Sequence, residues 1–166
     1  MRARLNVLAL ALSASFVASP ALAEQIACSD LANAIVENAA KDVLGEAVKS
    51  NPDLQKLSGH ALAMAAGRQF LTAERPDFKA YGYMLLLWYG GEEGRDLVAK
   101  VGPELTTEED RAHLYFVMGL AQLRAQNAKT AATGRDYIRQ MRDSGKVTFV
   151  TDEMWDLLID KCRLPS

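Results

Sequence analysis

The stretch from Phe78 to Gly91, FKAYGYMLLLWYGG, sets the pattern of the chain. Tyr81 to Tyr89 is apolar on every side apart from Gly82 and the phenol oxygens, and a helix that is apolar all round must be covered all round. It is expected to be the central helix of a helical domain. Pro76 opens it and Gly90-Gly91 closes it, because proline suits the first helical turn and glycine permits the turn after a helix end. A second mostly apolar helix follows Thr106-Thr107-Glu108-Glu109, which fits a capping box with the Glu reaching back to the Thr backbone. That helix carries Ala112, Leu114 to Met118, Leu120, Ala121 and Leu123, and should pack directly on Tyr81 to Tyr89.

The remaining segments alternate apolar and polar positions at helical spacing. Ser29 is expected to cap a first helix, with Asp30 in its first turn, Leu31, Ile35, Leu44 and Ala47 inward, and an end near Ser50-Asn51. Asn51-Pro52 restarts the chain, and Pro52 to Glu74 holds one helix or two, with Ser58-Gly59 as the break. The run HALAMAAGRQFL is rich in small side chains and should lie close against the central helix. Glu92 to Val101 forms a short helix ended by Gly102-Pro103. After Asn127 another helix runs from about Ala128 to Asp143 and stops at Ser144-Gly145. Lys146 to Val150 reads extended but is too short and isolated for a sheet. Thr151 caps a last helix whose Met154, Trp155, Leu158 and Cys162 share one face. Together these segments predict a single compact all-α domain of about six or seven helices.

Tyr81 and Tyr115 lie 34 residues apart, as do Met84 and Met118. The segment YFVMGLAQLRAQNAKTAATGRDYI places Tyr115, Gly119 and Ala131 near large, small and small positions. It resembles a tetratricopeptide-repeat hairpin over roughly a fifth of the chain, and the resemblance implies helical-hairpin architecture.

The N-terminus changes the compartment. Arg2 and Arg4, the apolar run Val7 to Val17 and the small-x-small site Ala21-Leu22-Ala23 form a secretory leader. The mature chain is expected to span 24–166, in the periplasm of a Gram-negative bacterium, with no membrane-spanning segment after the leader. Two cysteines remain, Cys28 and Cys162. In an exported chain they pair by default. Acylation of Cys28 is disfavoured, since Gln25 stands where a lipoprotein signal wants Leu and Cys162 would be left alone.

Charge is segregated. Loss of Arg2 and Arg4 moves the formal net charge from −2 to −4, which argues against a general nucleic-acid binder. Residues 92–110 carry seven acids against Arg95 and Lys100, whereas 111–146 carry seven bases against Asp136 and Asp143. Arg135, Arg139, Arg142 and Lys146 follow spacings of 4, 3 and 4, so they form one stripe, with Arg124 nearby. Such a stripe is either a solvated face or a docking edge for an acidic partner.

Motifs for catalysis are absent. His60 and His113 lack metal-ligand spacing, so no metal or cofactor is expected. There is no GxSxG elbow, and GRQF, GRDL and GRDY, at Gly67, Gly94 and Gly134, lack the context of a phosphate loop. Glu92, Glu93, Glu108, Glu109 and Asp110 sit at helix N-termini, where carboxylates are expected for stability alone.

The expectation is an exported, disulfide-closed, non-catalytic protein that binds another envelope protein through Arg124, Arg135, Arg139, Arg142 and Lys146. In general make-up it is similar to the helical immunity proteins of secreted toxins. The alternative is a carrier of a small apolar ligand or lipid, with an aromatic groove at Tyr81, Tyr83, Trp88 and Tyr89. A cell-envelope enzyme comes third, with no preferred catalytic residue. Self-association stays open.

Overall fold

Proline, glycine and caps divide the chain into seven α-helices in the computed structural model, which describes residues 26–166. The leader expected at residues 1–23 lies outside these. In order the helices are α1 (Cys28–Ser50), α2 (Gly59–Leu71), α3 (Pro76–Tyr89), α4 (Gly91–Val101), α5 (Glu108–Leu123), α6 (Ala128–Ser144) and α7 (Asp152–Asp156). Short 3-10 turns at Pro52–Lys56 and Gly102–Glu104 join α1 to α2 and α4 to α5. The segment after Pro52 thus divides in two, at Ser58-Gly59 as expected, with Gly59 at a left-handed φ of 53°. There is no strand among the described residues, and no helix there is long and apolar enough to cross a membrane.

The central helix is α3. Ala80 to Leu86 is buried without interruption, covered by α1, α2, α4 and α5. The last turn escapes this cover: Leu87 and Trp88 are half-buried and Tyr89 is 37 % exposed. The expected burial of the whole Tyr81 to Tyr89 run therefore holds only to Leu86.

Two helix pairs meet at reciprocal glycines. A Cβ on Gly82 would lie 2.9 Å from the Gly67 carbonyl oxygen, and one on Gly67 would lie 2.8 Å from Leu86 Cγ. In α5 and α6, a Cβ on Gly134 would lie 2.7 Å from the Gly119 carbonyl oxygen, and one on Gly119 would lie 3.0 Å from that of Gly134. Such distances require bare backbone at the crossing. In each pair the glycines are 15 positions apart, so α2–α3 and α5–α6 form two hairpins built on one contact. The 34-residue echo is of another kind. Tyr81 is 5 % exposed and Tyr115 41 %, so those two positions hold unlike environments.

Local expectations held at most helix ends and failed at two. Asn51, Asn127 and Thr151 each accept a backbone N–H of the helix they open, and Gly145 ends α6 at a left-handed φ of 63°. Ser29 is no cap. The helix opens at Ala27, because Cys28 N–H donates to the Arg163 carbonyl at 2.9 Å and the C-terminal segment occupies that end. Thr107 caps α5 by accepting from Asp110 N–H at 3.0 Å, but the reciprocal arm of the box is missing. With Thr107 as the cap, the reciprocal position falls on Asp110, one residue past the expected Glu109, and its side chain turns away to Lys79 on α3.

The two ends of the described region meet. Cys28 and Cys162 form a disulfide across a sequence separation of 134 residues. Arg163 N–H donates to the Ile26 carbonyl at 2.9 Å beside it. Closing a loop of that length restricts the unfolded chain by an amount on the order of 5 kcal/mol. The wide helical turn Leu157–Lys161 after α7 delivers Cys162, while Trp155 stands edge-on to Phe116 at 5.3 Å. Lys146 to Val150, expected to be extended, forms no strand. It sends Phe149 into the core between Tyr81, His113 and Phe116.

Gly134→Ala and Gly119→Ala should each lower stability by about 1–3 kcal/mol through forced separation of α5 and α6. Gly45→Ala, inside α1 with nothing within 4 Å of its added methyl, should raise it by about 0.5–1 kcal/mol. Urea unfolding of the oxidised protein measures all three. Equal effects at the three positions would mean that the glycines do not set the helix spacing.

Candidate functional site

The basic stripe does not survive as a row of free cations. Arg135 turns inward, half-buried against the disulfide. Its guanidinium donates to the Cys162 carbonyl oxygen and to Cys28 Sγ, the latter at 3.0 Å. Burial, helped by the nearby Arg139 charge, pulls its pKa below the usual arginine value. Arg139 and Arg142 remain near the surface and meet Asp136 and Asp156, each at 3.2 Å. Lys146 is not on the helix, because Gly145 turns the chain away first; it lies 3.7 Å from Glu108. Arg124 stacks over the Trp88 ring at 4.8 Å, at the far end of the chain segment that holds the stripe.

The aromatic residues also separate. Tyr81 and Tyr83 are core side chains, at 5 % and 0 % exposure. Burial, with the Asp110 charge adding to it, pushes the Tyr83 phenol up to about 12. Trp88 Nε1–H donates to Asn33 Oδ1 at 3.2 Å, which fixes its ring against α1. Tyr89 reaches the surface. The four residues therefore line no common groove.

A cleft does open beside the central helix, on the side of Leu87. It is half-open, with a volume of about 550 Å³. Val98 and Ala99 of α4 form one wall, and Leu114 and Met118 of α5 the other. Gly102 and Pro103 set the distance between the walls by ending α4 and turning the chain. Tyr115, exposed and stacked on Tyr137 at 5.9 Å between ring centres, borders the opening. The charged side chains of the lining are Arg95 and Arg111, one from each helix. Arg95, Val98, Ala99 and Gly102, like Arg111, Leu114, Tyr115 and Met118, follow the 3-1-3 spacing of one helix face. That spacing was the available sequence signal. It identifies two faces, not that they oppose each other.

A buried polar cluster lies between α3 and α5. Lys79 Nζ lies 3.0 Å from both carboxylate oxygens of Asp110, with side-chain exposures of 20 % and 8 %. His113 is buried and donates from Nδ1 to the Glu109 carbonyl oxygen at 2.7 Å, which leaves the lone pair of the neutral ring on Nε2. Its ring stacks near Phe149. Burial lowers its pKa, opposed by the Glu109 carbonyl and by the charges of Asp77, Asp110 and Glu109. His60 is far from it in the fold, exposed, with Nδ1 3.0 Å from the Tyr89 carbonyl oxygen and Nε2 3.9 Å from Glu93. Among the described residues no three or more His, Cys, Asp and Glu side chains gather to hold a metal ion.

The three GR dipeptides find a common explanation. Gly67, Gly94 and Gly134 all lie where a helix backbone touches its neighbour, Gly94 against the Leu86 carbonyl oxygen. The arginine that follows each glycine then stands at the edge of the contact. Arg68 pairs with Glu93, Arg95 enters the cleft and Arg135 reaches the disulfide.

The described residues form an all-α domain closed by the Cys28–Cys162 disulfide. No protein-family model, no curated protein and no solved structure matches the chain.

The lowered pKa of His113 gives a signed pH dependence. An unfolded histidine titrates near about 6.5. The folded ring holds its proton less well, so below that pH the unfolded chain binds more protons and stability falls as pH drops towards the folded pKa. His113→Phe should remove that part of the loss between about pH 7.5 and about pH 5. The check is the urea midpoint of both proteins at the two pH values. The same loss in variant and parent would assign the pH dependence to other groups.

Proposed function

We propose that this chain is a non-catalytic binding protein of the bacterial envelope that holds a small apolar molecule in the cleft between α4 and α5. The cleft is the observation that supports this function best. Its volume of about 550 Å³ falls in the range of small-molecule sites, roughly 300–1,000 Å³, and its walls are apolar with few polar groups, as such sites require. It borders Leu87, so the ligand would lie beside the last turn of the central helix and not along Tyr81 and Tyr83. Export is supported by the leader pattern of Arg2, Arg4, Val7 to Val17 and Ala21-Leu22-Ala23, and by a disulfide of the kind that persists in oxidising compartments. No nucleophile, phosphate-loop or metal motif supports an enzyme.

The expected outcome with N-phenyl-1-naphthylamine is saturable fluorescence enhancement at one site per chain. Met118→Gln, in the cleft wall, should weaken it about fivefold, the effect of losing roughly 1 kcal/mol of apolar contact. No saturable binding to the oxidised protein would exclude the ligand carrier.

A second function rests on α6. The Arg139–Asp136 and Arg142–Asp156 pairs are partly exposed, and such pairs hold weakly, so carboxylates of an envelope protein could replace the internal acids. Arg139→Glu with Arg142→Glu should then abolish salt-sensitive, stoichiometric capture of one periplasmic protein. Capture unchanged by the double reversal would rule the α6 edge out.

A further inference from the structure

The cleft carries a charge arrangement that specifies its ligand further. Arg95 and Arg111 enter an otherwise apolar lining from opposite walls. Among the described residues, Arg68, Arg75, Arg139 and Arg142 each have a carboxylate within 4 Å; Arg95, Arg111, Arg124, Arg135 and Arg163 have none, but Arg124 is stacked on Trp88 and Arg135 is bonded at the disulfide, and only Arg95 and Arg111 line the cleft. Acids are abundant close by in the chain, yet three of them are engaged elsewhere. Glu93 meets Arg68, Glu108 meets Lys146 and Asp110 meets Lys79.

Arg111 is also held in place. Its Nη1 donates to the Leu105 carbonyl oxygen at 3.0 Å and to that of Thr106 at 3.4 Å. Both bonds use Nη1, so Nη2 and Nε have no hydrogen-bond partner among the described residues. A guanidinium fixed in this way presents two parallel N–H donors, the geometry that matches a carboxylate. A neutral ligand would cover both guanidinium groups and give them no acceptor, which is unfavourable when water is displaced. A cationic ligand would meet like charge in the lining itself.

We propose that the cleft takes a single-chain amphipathic carboxylate, a fatty acid in chemical class. Arg95 and Arg111 hold its head group, and its chain lies along Leu87, Val98, Leu114 and Met118. This rests on the cleft being a small-molecule site, as set out above. Val98 and Leu114 are the buried residues of the lining and Arg95 is exposed, so the chain lies against the two walls and the head stays on the solvent side with Arg95. Binding here involves no covalent step.

The test is titration of the full oxidised protein with dodecanoate, dodecanol and dodecyltrimethylammonium, each below its micelle concentration. Displacement of N-phenyl-1-naphthylamine and calorimetry provide the readouts. Dodecanoate should bind about tenfold more tightly than dodecanol, the scale of one or two charge-assisted hydrogen bonds. Arg95→Gln, at an exposed position, should weaken dodecanoate about fivefold or more and leave dodecanol unchanged. Arg111→Gln should do the same, with circular dichroism to show that loss of its bonds to Leu105 and Thr106 leaves the helices intact. Equal affinity for dodecanoate and dodecanol, unaffected by Arg95→Gln, would overturn the carboxylate assignment and leave the apolar site standing. Tighter binding of dodecyltrimethylammonium would overturn it as well, by showing that the acids of α4 and α5 dominate the cleft. Binding of none of the three would remove both the ligand class and the small-molecule site.

Discussion

The approach of α2 to α3 at Gly67 and Gly82 is the contact on which the rest of the molecule depends. The Gly67 carbonyl oxygen occupies space that any side chain at 82 would need. Because it does, the small residues of α2, Ala63, Ala66 and Gly67 among them, come down onto the backbone of α3. A helix that is apolar all round can be covered only if its neighbours approach this closely on each side. α5 and α6 repeat the solution at Gly119 and Gly134, and Gly94 extends it to α4. The arginine after each of Gly67, Gly94 and Gly134 is carried to the rim of a helix contact. One local pattern thus supplies a surface ion pair, a cleft residue and a support for the disulfide.

Charge follows from this packing. The acidic segment at 92–110 and the basic segment at 111–146 look like two opposed surfaces in the sequence, but the fold brings parts of them together. Glu108 meets Lys146, and Asp110 is taken by Lys79 from α3. Arg135 leaves the surface for the Cys28–Cys162 bridge, where it ties α6 to Cys28 and Cys162. What remains at the α6 edge is two cations in partly exposed pairs. What remains at the cleft is two cations with no carboxylate partner.

The cleft is also a consequence of how α4 ends. Gly102 and Pro103 stop α4 and tighten the connection to α5, so the two helices share α3 as a base without filling the space between them. Gly90 and Gly91 turn the chain at the other end. The cleft is thus an apolar space between helices, with Arg95 and Arg111 in its lining.

The sequence by itself determined the helices, most of their caps and breaks, the buried run in α3 as far as Leu86 and the pairing of Cys28 with Cys162. Each of these is set by neighbours within a few residues, or, for the cysteines, by there being one possible partner. Only the tertiary structure decided that Ser29 is not a cap, that Asp110 turns to Lys79 and that Arg135 is internal. The same holds for the cleft, whose lining comes from four segments between Leu87 and Met118. The physical reason is range. Helix periodicity and capping act over one or two turns, whereas the partner of a charge and the shape of a cavity depend on which distant segments arrive beside it.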